Sequence, residues 1–430
     1  MPAGSPSVKS GPISPPVRIE SLDQAGRGVA RVEGKAIFIE GALPGELVEY
    51  VSFRRKPNYE LAEAVRIIEP SVSRVAPSCQ HFGVCGGCSM QHLEPRAQVA
   101  AKQRVLEENL ARIGKVTPEI ILPPIHGPIW GYRYRARFSA RYVEKKGMLV
   151  GFHERRSSFV VDMRSCAVVP ARISALLIPL RDLIASLSIR GRLPQIELAI
   201  GDAVDVMALR VMETPSESDI EKLRQFSDHH RVQLLLQPEG PDSAYPLMPE
   251  KVIPLHYRIP DFDLTFPFNA TDFTQVNDQT NRVLVRRAIA LLDPQPGDHV
   301  ADLFCGLGNF SLAIARRGAQ VLGVEGNARL VERAKGNALL NGLQDQCRFL
   351  ERDLFKLTAR DWREMPLFDR VLIDPPRDGA MEIVKVLGER APARIVYVSC
   401  NPATLARDAE VLVQVHGYRL AAAGGINMFP

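Results

Sequence analysis

GDHVADLFCGLGNFSLAIARRGAQVLGVEGN, residues 297–327, decides the fold. An apolar run ends in a turn rich in glycine. A helical stretch follows, and a second apolar run ends in an acid, Glu325. The same alternation continues outward. A helix over 275–292 precedes the segment. A helix over 327–341, the run CRFLERDLF, the run FDRVLIDPP, a helix over 380–390 and the run RIVYVSC follow it. Short apolar strands that alternate with helices predict a doubly wound α/β domain with a mainly parallel sheet over 265–430.

Ligands of such sheets lie at the carboxyl ends of the strands. The first strand runs out in Asp302-Leu-Phe-Cys-Gly-Leu-Gly-Asn-Phe310, where Gly306 and Gly308 let backbone pass close to a ligand. Glu325, at the next strand end, can accept both ribose hydroxyls of a nucleoside cofactor. A dinucleotide turn fits poorly, because its third glycine falls on Ser311. Asp353 ends the third strand, where it meets an adenine edge, and Asp374-Pro375-Pro376 ends the fourth. Any one of these acids is readily a helix N-cap. Four strand-end acids in order resemble the class I S-adenosylmethionine (SAM) methyltransferases, a Rossmann-like fold.

Toward the N-terminus the pattern changes. Residues 17–69 are short Val-, Ile- and Phe-rich runs punctuated by glycine, the signature of a small barrel. GRGVARVEGKAIFIEGALPGE and the basic Arg54-Arg55-Lys56 resemble the TRAM domain, an OB-like β-barrel that binds RNA. Four segments are expected. They are a disordered tail (1–16), the barrel (17–75), a central α+β domain carrying the cysteines (76–264) and the methyltransferase domain (265–430). A helix over 93–114 is expected to pack on the last. Within the central domain a helix is predicted around 171–188, and 241–260 reads as proline-rich loop.

The charge is uneven. Nine Lys/Arg against three acids fall between Gly127 and Cys166, a larger positive excess than the chain's net +5. Such a stretch is a solvated strand face or a surface for a polyanion. Tyr132, Tyr134 and Phe138 alternate with Arg133, Arg135 and Arg137, so strand geometry sends them to opposite faces, the aromatics inward. No apolar run is long enough to span a bilayer and the first residues lack the apolar stretch of a signal peptide, so a cytoplasmic protein is expected.

Seven cysteines do not make a disulfide framework. Cys79, Cys85 and Cys88 are spaced C-x5-C-x2-C, and Cys166 supplies a fourth thiol. Four thiolates suit an iron–sulfur cluster or zinc, and spacing does not choose between them. A radical-SAM triplet has different spacing and needs no separate SAM fold. Cys305 and Cys347 read as packing. Cys400, in VSCNPATLARD (398–408), follows an apolar run and opens a loop, where a thiol is inert packing or a nucleophile.

DPPRDG, SCNPATLARD and FTQVN (273–277) together resemble the RNA uracil-5-methyltransferases. The barrel and cysteine cluster are most similar to that family's 23S ribosomal RNA branch; a tRNA methyltransferase is the alternative. The resemblance implies a Cys400 nucleophile that adds to C6 of uracil. It also implies a SAM site lined by Gln275, Phe304, Asn309, Glu325, Asp353 and Asp374, with Asp374 also near the target base. It favours a [4Fe–4S] cluster on Cys79, Cys85, Cys88 and Cys166, a uridine in a loop or flipped from its stack, and a monomer with no DNA or membrane partner. The family's proton-abstracting glutamate follows a Phe-Pro pair near the C-terminus, and the sequence ends at Phe429-Pro430. That implies slow release of the covalent adduct, or an RNA-binding protein with impaired catalysis.

Overall fold

Five parallel strands form the sheet of the C-terminal third, in the order Cys347–Glu351, Gln320–Glu325, His299–Leu303, Arg370–Ile373, Arg394–Tyr397. In chain order this is 3-2-1-4-5. The first strand is central, and the order reverses beside it, which is where doubly wound sheets bind ligands. The computed structural model describes residues 11–430. Helices cover both sheet faces. One core holds Val300, Leu312, Val321 and Leu372, with Leu284 and Val285 of the helix Asp278–Leu292. The other holds Leu303, Trp362, Ile373 and Ile383. The central strands His299–Leu303 and Arg370–Ile373 read as near-continuous apolar runs because both faces are buried, while the edge strands are half-buried.

The hairpin His256–Ile259/Leu264–Pro267 belongs to this unit. Its Tyr257, Ile259, Leu264 and Phe266 lie in the same core as Val285 and Val300. The expected boundary at residue 265 would cut through it, and 241–260 is not all loop, because it contains the strand His256–Ile259.

The N-terminal sheet has six strands in the order Ser14–Arg18, Leu47–Arg55, Tyr59–Glu69, Lys35–Glu40, Gly28–Val32, Ser21–Leu22. Alternation works as the pleat requires. Ile37 and Ile39 point inward with Val48, Tyr50 and Ala62, while Phe38 lies on the other face under the guanidinium of Arg27. Glu46 is fully buried and is held by Arg74 at 2.6 and 2.8 Å and by the amides of Leu43 and Ser71. Burial works against its charge, but these donors hold its carboxyl below the usual range. Of the expected tail, residues 1–10 lie outside the described residues, whereas Ser14–Pro16 are strand.

The central sheet runs Tyr245–Pro246, Val232–Gln237, Asp205–Arg210, Gln195–Ile200, Arg135–Val143, Gly147–Gly151. Tyr132 and Phe138 enter its core and Tyr134 packs against it. The arginines are largely occupied. Arg137 pairs with Glu197 at 2.9 Å, Arg135 donates to the carbonyl of Ala270, and Arg133 lies over the Phe152 ring. Arg141, Lys145 and Lys146 are exposed and form no ion pair among the described residues. The predicted helix at 171–188 is two, Ala171–Ser174 and Leu177–Ser186. Pro179 falls in the first turn of the second, where no amide is needed.

The helix Pro95–Arg112 starts at Glu94, whose carboxylate accepts from the Ala97 amide at 2.9 Å, with Pro95 in the first helical position. It packs Leu106 and Leu110 on Ala406 and Ala409 of the helix Pro402–Glu410. Among the described residues no helix is long and apolar enough to cross a membrane.

Candidate active site

The loop leaving the central strand turns sharply. Phe304, Gly306 and Gly308 all have positive φ, at 65°, 56° and 92°. A Cβ on Gly306 would meet nothing within 4 Å, so glycine is there for the backbone angle and the face above it is open. Glu325 braces the loop: one carboxylate oxygen accepts from the Gly306 amide and the other from the Asn327 amide, both at 3.0 Å. The rings of Phe304 and Phe355 lie 5.5 Å apart. Asp353 is exposed, caps the short turn Leu354–Lys356 and pairs with Lys356 at 2.9 Å. That hydrogen bond lowers its pKa. The cap reading and the strand-end reading describe one residue.

Asp302 is completely buried. Ser311 donates to one carboxylate oxygen, and the other has no partner among the described residues. Burial first, then the neighbouring charges of Asp374 and Glu325, pushes its carboxyl up to about 7. Burial does the same to Asp374, also up to about 7. Two carboxyls this far from their usual range, at a switch point, make this strand end a candidate ligand site.

Gln275 lines a pocket with Tyr134, Asp202, Tyr257, Asp278 and Asn281. Asn309, on the glycine loop, bonds to two of these lining residues. Its amide pairs reciprocally with that of Asn281 at 3.1 and 3.2 Å, and it accepts from Tyr257 at 2.9 Å. Neither Asn281 nor Tyr257 was singled out by sequence; Asn281 lies one helical turn after Asn277 of FTQVN, the only signal for it.

Cys400 is the exposed cysteine; Cys305 and Cys347 are buried. It follows the edge strand Arg394–Tyr397 and precedes Asn401, which caps the helix Pro402–Glu410. The loop after Asp374 is bonded to the residues that follow Cys400. Asn401 and Thr404 donate to the Arg377 carbonyl at 3.0 and 3.2 Å, and Arg407 donates to the Asp378 carbonyl at 3.0 Å. Asp408, with no exposure, accepts from the Ala380 amide and the Tyr397 hydroxyl, both at 2.7 Å. Asp408 thus holds two site loops together, a role that only contacts across the fold reveal.

Cys79, Cys85, Cys88 and Cys166 line one pocket with Phe82 and Phe152. Burial and the neighbouring thiols push Cys85 up to about 11, and Cys88 and Cys166 are also raised. Among the described residues no group of three or more Cys, His, Asp or Glu side chains is placed to hold a metal ion.

A profile of the tRNA (Uracil-5-)-methyltransferase family matches residues 94–423, and a TRAM domain profile matches 16–51. The first match spans the central and C-terminal sheets together. The chain is 61% identical over 421 residues to the 23S rRNA (uracil(1939)-C(5))-methyltransferase RlmD of Nitrosospira multiformis, covering 97% of this chain and 96% of that one. It is 56% identical over 414 residues to the protein of the same name from Dechloromonas aromatica, covering 96% of each. Its fold is that of the tRNA (uracil-54, C5)-methyltransferase of Pyrococcus abyssi, solved with S-adenosyl-L-homocysteine, at a TM-score of 0.72, 24% identity and 96% coverage of both chains.

Proposed function

The chain belongs to the uracil-5-methyltransferase family, and from that membership we infer that it methylates C5 of a 23S ribosomal RNA uridine, the one its relatives' names number 1939, with SAM as donor. The observation that carries the chemistry is Cys400: an exposed thiol in a loop bonded to the Asp374 loop, at the carboxyl end of a parallel sheet. C5 of uracil is a poor nucleophile. The Cys400 thiolate adds to C6, breaks the C5–C6 π bond and makes C5 an enolate carbon. Bound SAM supplies an electrophilic methyl group on a sulfonium. Once C5 carries that methyl, a base takes the C5 proton, its electrons restore the C5–C6 double bond, and the thiolate leaves. Stacking in folded RNA hides C6, so the uridine is taken in a loop or flipped out.

The residues present fit SAM. Glu325 offers acceptor oxygens at the second strand end, and buried Asp302 keeps one oxygen unpartnered beside Asp374. Gln275, Phe304, Asn309, Glu325, Asp353 and Asp374 hold the cofactor. Cys79, Cys85, Cys88 and Cys166 line one pocket, which supports their joint use, although among the described residues no three such side chains are placed to hold a metal ion. We assign them a [4Fe–4S] cluster, which cross-links the cysteine loop to the central domain and carries no electrons for methyl transfer.

The test gives purified protein and methyl-labelled SAM either unmodified 23S RNA or unmodified transfer RNA, followed by digestion of the RNA. Labelled 5-methyluridine at one 23S position is expected. Cys400→Ala abolishes it and keeps SAM binding. Product in transfer RNA alone, or none in either RNA, overturns the reading.

A further inference from the structure

Gln24 lies in the turn between the barrel strands Ser21–Leu22 and Gly28–Val32, and its amide nitrogen donates to the backbone carbonyl of Cys400 at 3.3 Å, across 376 residues of sequence. The geometry points to Gln24 as a positioning residue for the nucleophile, so that the barrel completes the active site as well as gripping RNA. This rests on the reading of Cys400 as the nucleophile.

The turn that carries Gln24 is built to hold still. The Asp23 carboxylate accepts from the amides of Ala25 and Arg27 at 3.0 and 2.8 Å and from the Arg27 guanidinium at 2.7 Å. The Gly26 amide donates to the Asp23 carbonyl at 3.0 Å. Met90 presses on the turn so closely that a Cβ on Gly26 would lie 2.5 Å from its Cγ.

A second route fixes the same distance. Leu22 and Leu43 of the barrel pack with Met90 and Leu93, and these pack on Ala97 and Ala101 of the helix Pro95–Arg112. That helix packs through Leu106 and Leu110 on the helix Pro402–Glu410, whose cap follows Cys400. Barrel, linking helix and nucleophile helix therefore close a ring of contacts, and the Gln24 hydrogen bond is the link at the reacting loop. It fixes the peptide plane that follows Cys400, and with it the direction of the thiol.

The test uses the full-length protein and RNA carrying 5-fluorouridine at the target, where C5 has no proton to lose and the adduct stays covalent. Adduct formation is timed on denaturing gels at saturating RNA and SAM. Gln24→Ala is expected to slow it about tenfold, because small misplacements of a reacting group cost one to two orders of magnitude. The KM for RNA and the melting temperature stay where they are. Gln24→Lys, which restores a donor of similar reach, recovers most of the rate, and Gln24→Glu, which sets an acceptor against the carbonyl, does not. An unchanged rate in Gln24→Ala, or a change in RNA KM alone, overturns the inference while the nucleophile reading stands. No adduct with the unsubstituted protein overturns the nucleophile reading itself.

Discussion

Asp302 is buried at the end of the central strand with one oxygen unpartnered, and Asp374 is raised beside it; both carboxyls stand at about 7. The unfolded value is near 4. The folded protein therefore holds these protons longer than the unfolded chain. The stability this contributes is complete below about pH 4 and is lost as pH rises through about 7. A bound cation works the other way, since it favours the ionised acids. SAM, which carries a sulfonium and an ammonium, is expected to bind more tightly as pH rises from 6 to 8. Asp302→Asn removes one of these acids and flattens that slope. Calorimetric titration of SAM across this range checks both; a pH-independent affinity in the unsubstituted protein would refute the assignment.

At the scale of elements, the site depends on two loops held at one separation. Gly379 has φ +80°, and a Cβ there would lie 2.7 Å from Asp408 and from Arg407. Gly379→Ala forces a left-handed alanine against the residues that join the loops. It is expected to lower stability by about 1–3 kcal/mol, the cost of one strained backbone position. It is also expected to slow methyl transfer more than it weakens RNA binding, because the Asp374 loop and Cys400 would no longer be held together. Thermal melts and a comparison of kcat with KM for RNA measure the two effects. A loss of kcat that disappears when rates are normalised to the folded fraction would argue for simple unfolding.

At the scale of the molecule, the cysteine pocket joins distant chain segments. Arg155 donates to the Cys88 carbonyl at 2.6 Å and stands over the Phe82 ring, while its neighbour Arg156 pairs with Glu63 of the barrel at 2.8 Å. Much of the basic stretch is thus structural; among the described residues Arg141, Lys145, Lys146 and Arg164 are exposed and form no ion pair. Protein purified without oxygen is expected to carry iron and sulfide. Cys166→Ser is expected to lose both and to melt about 5 °C lower, the shift that about 2 kcal/mol produces in a domain of this size. Iron and sulfide analysis with a thermal melt decides it; zinc in place of iron would overturn the cluster assignment.

The strand–helix alternation that starts at 297–327 and continues to residue 400 determines the doubly wound sheet, because strand and helix periods are local. The strand-end acids Glu325, Asp353 and Asp374 were legible for the same reason: such a sheet puts every strand end on one side, so chain order predicts their company. The place of Cys400, after the last strand and before a capped helix, was legible from the apolar run before it and the Asn-Pro after it. The hairpin at 256–267 was not, since its burial against Val285 and Val300 depends on which core it joins. The occupied arginines, the Asp408 bonds and the reach of Gln24 to Cys400 were decided by tertiary structure alone. Each couples residues whose local sequence carries no record of the partner, and only packing of the whole chain brings the two within hydrogen-bond distance.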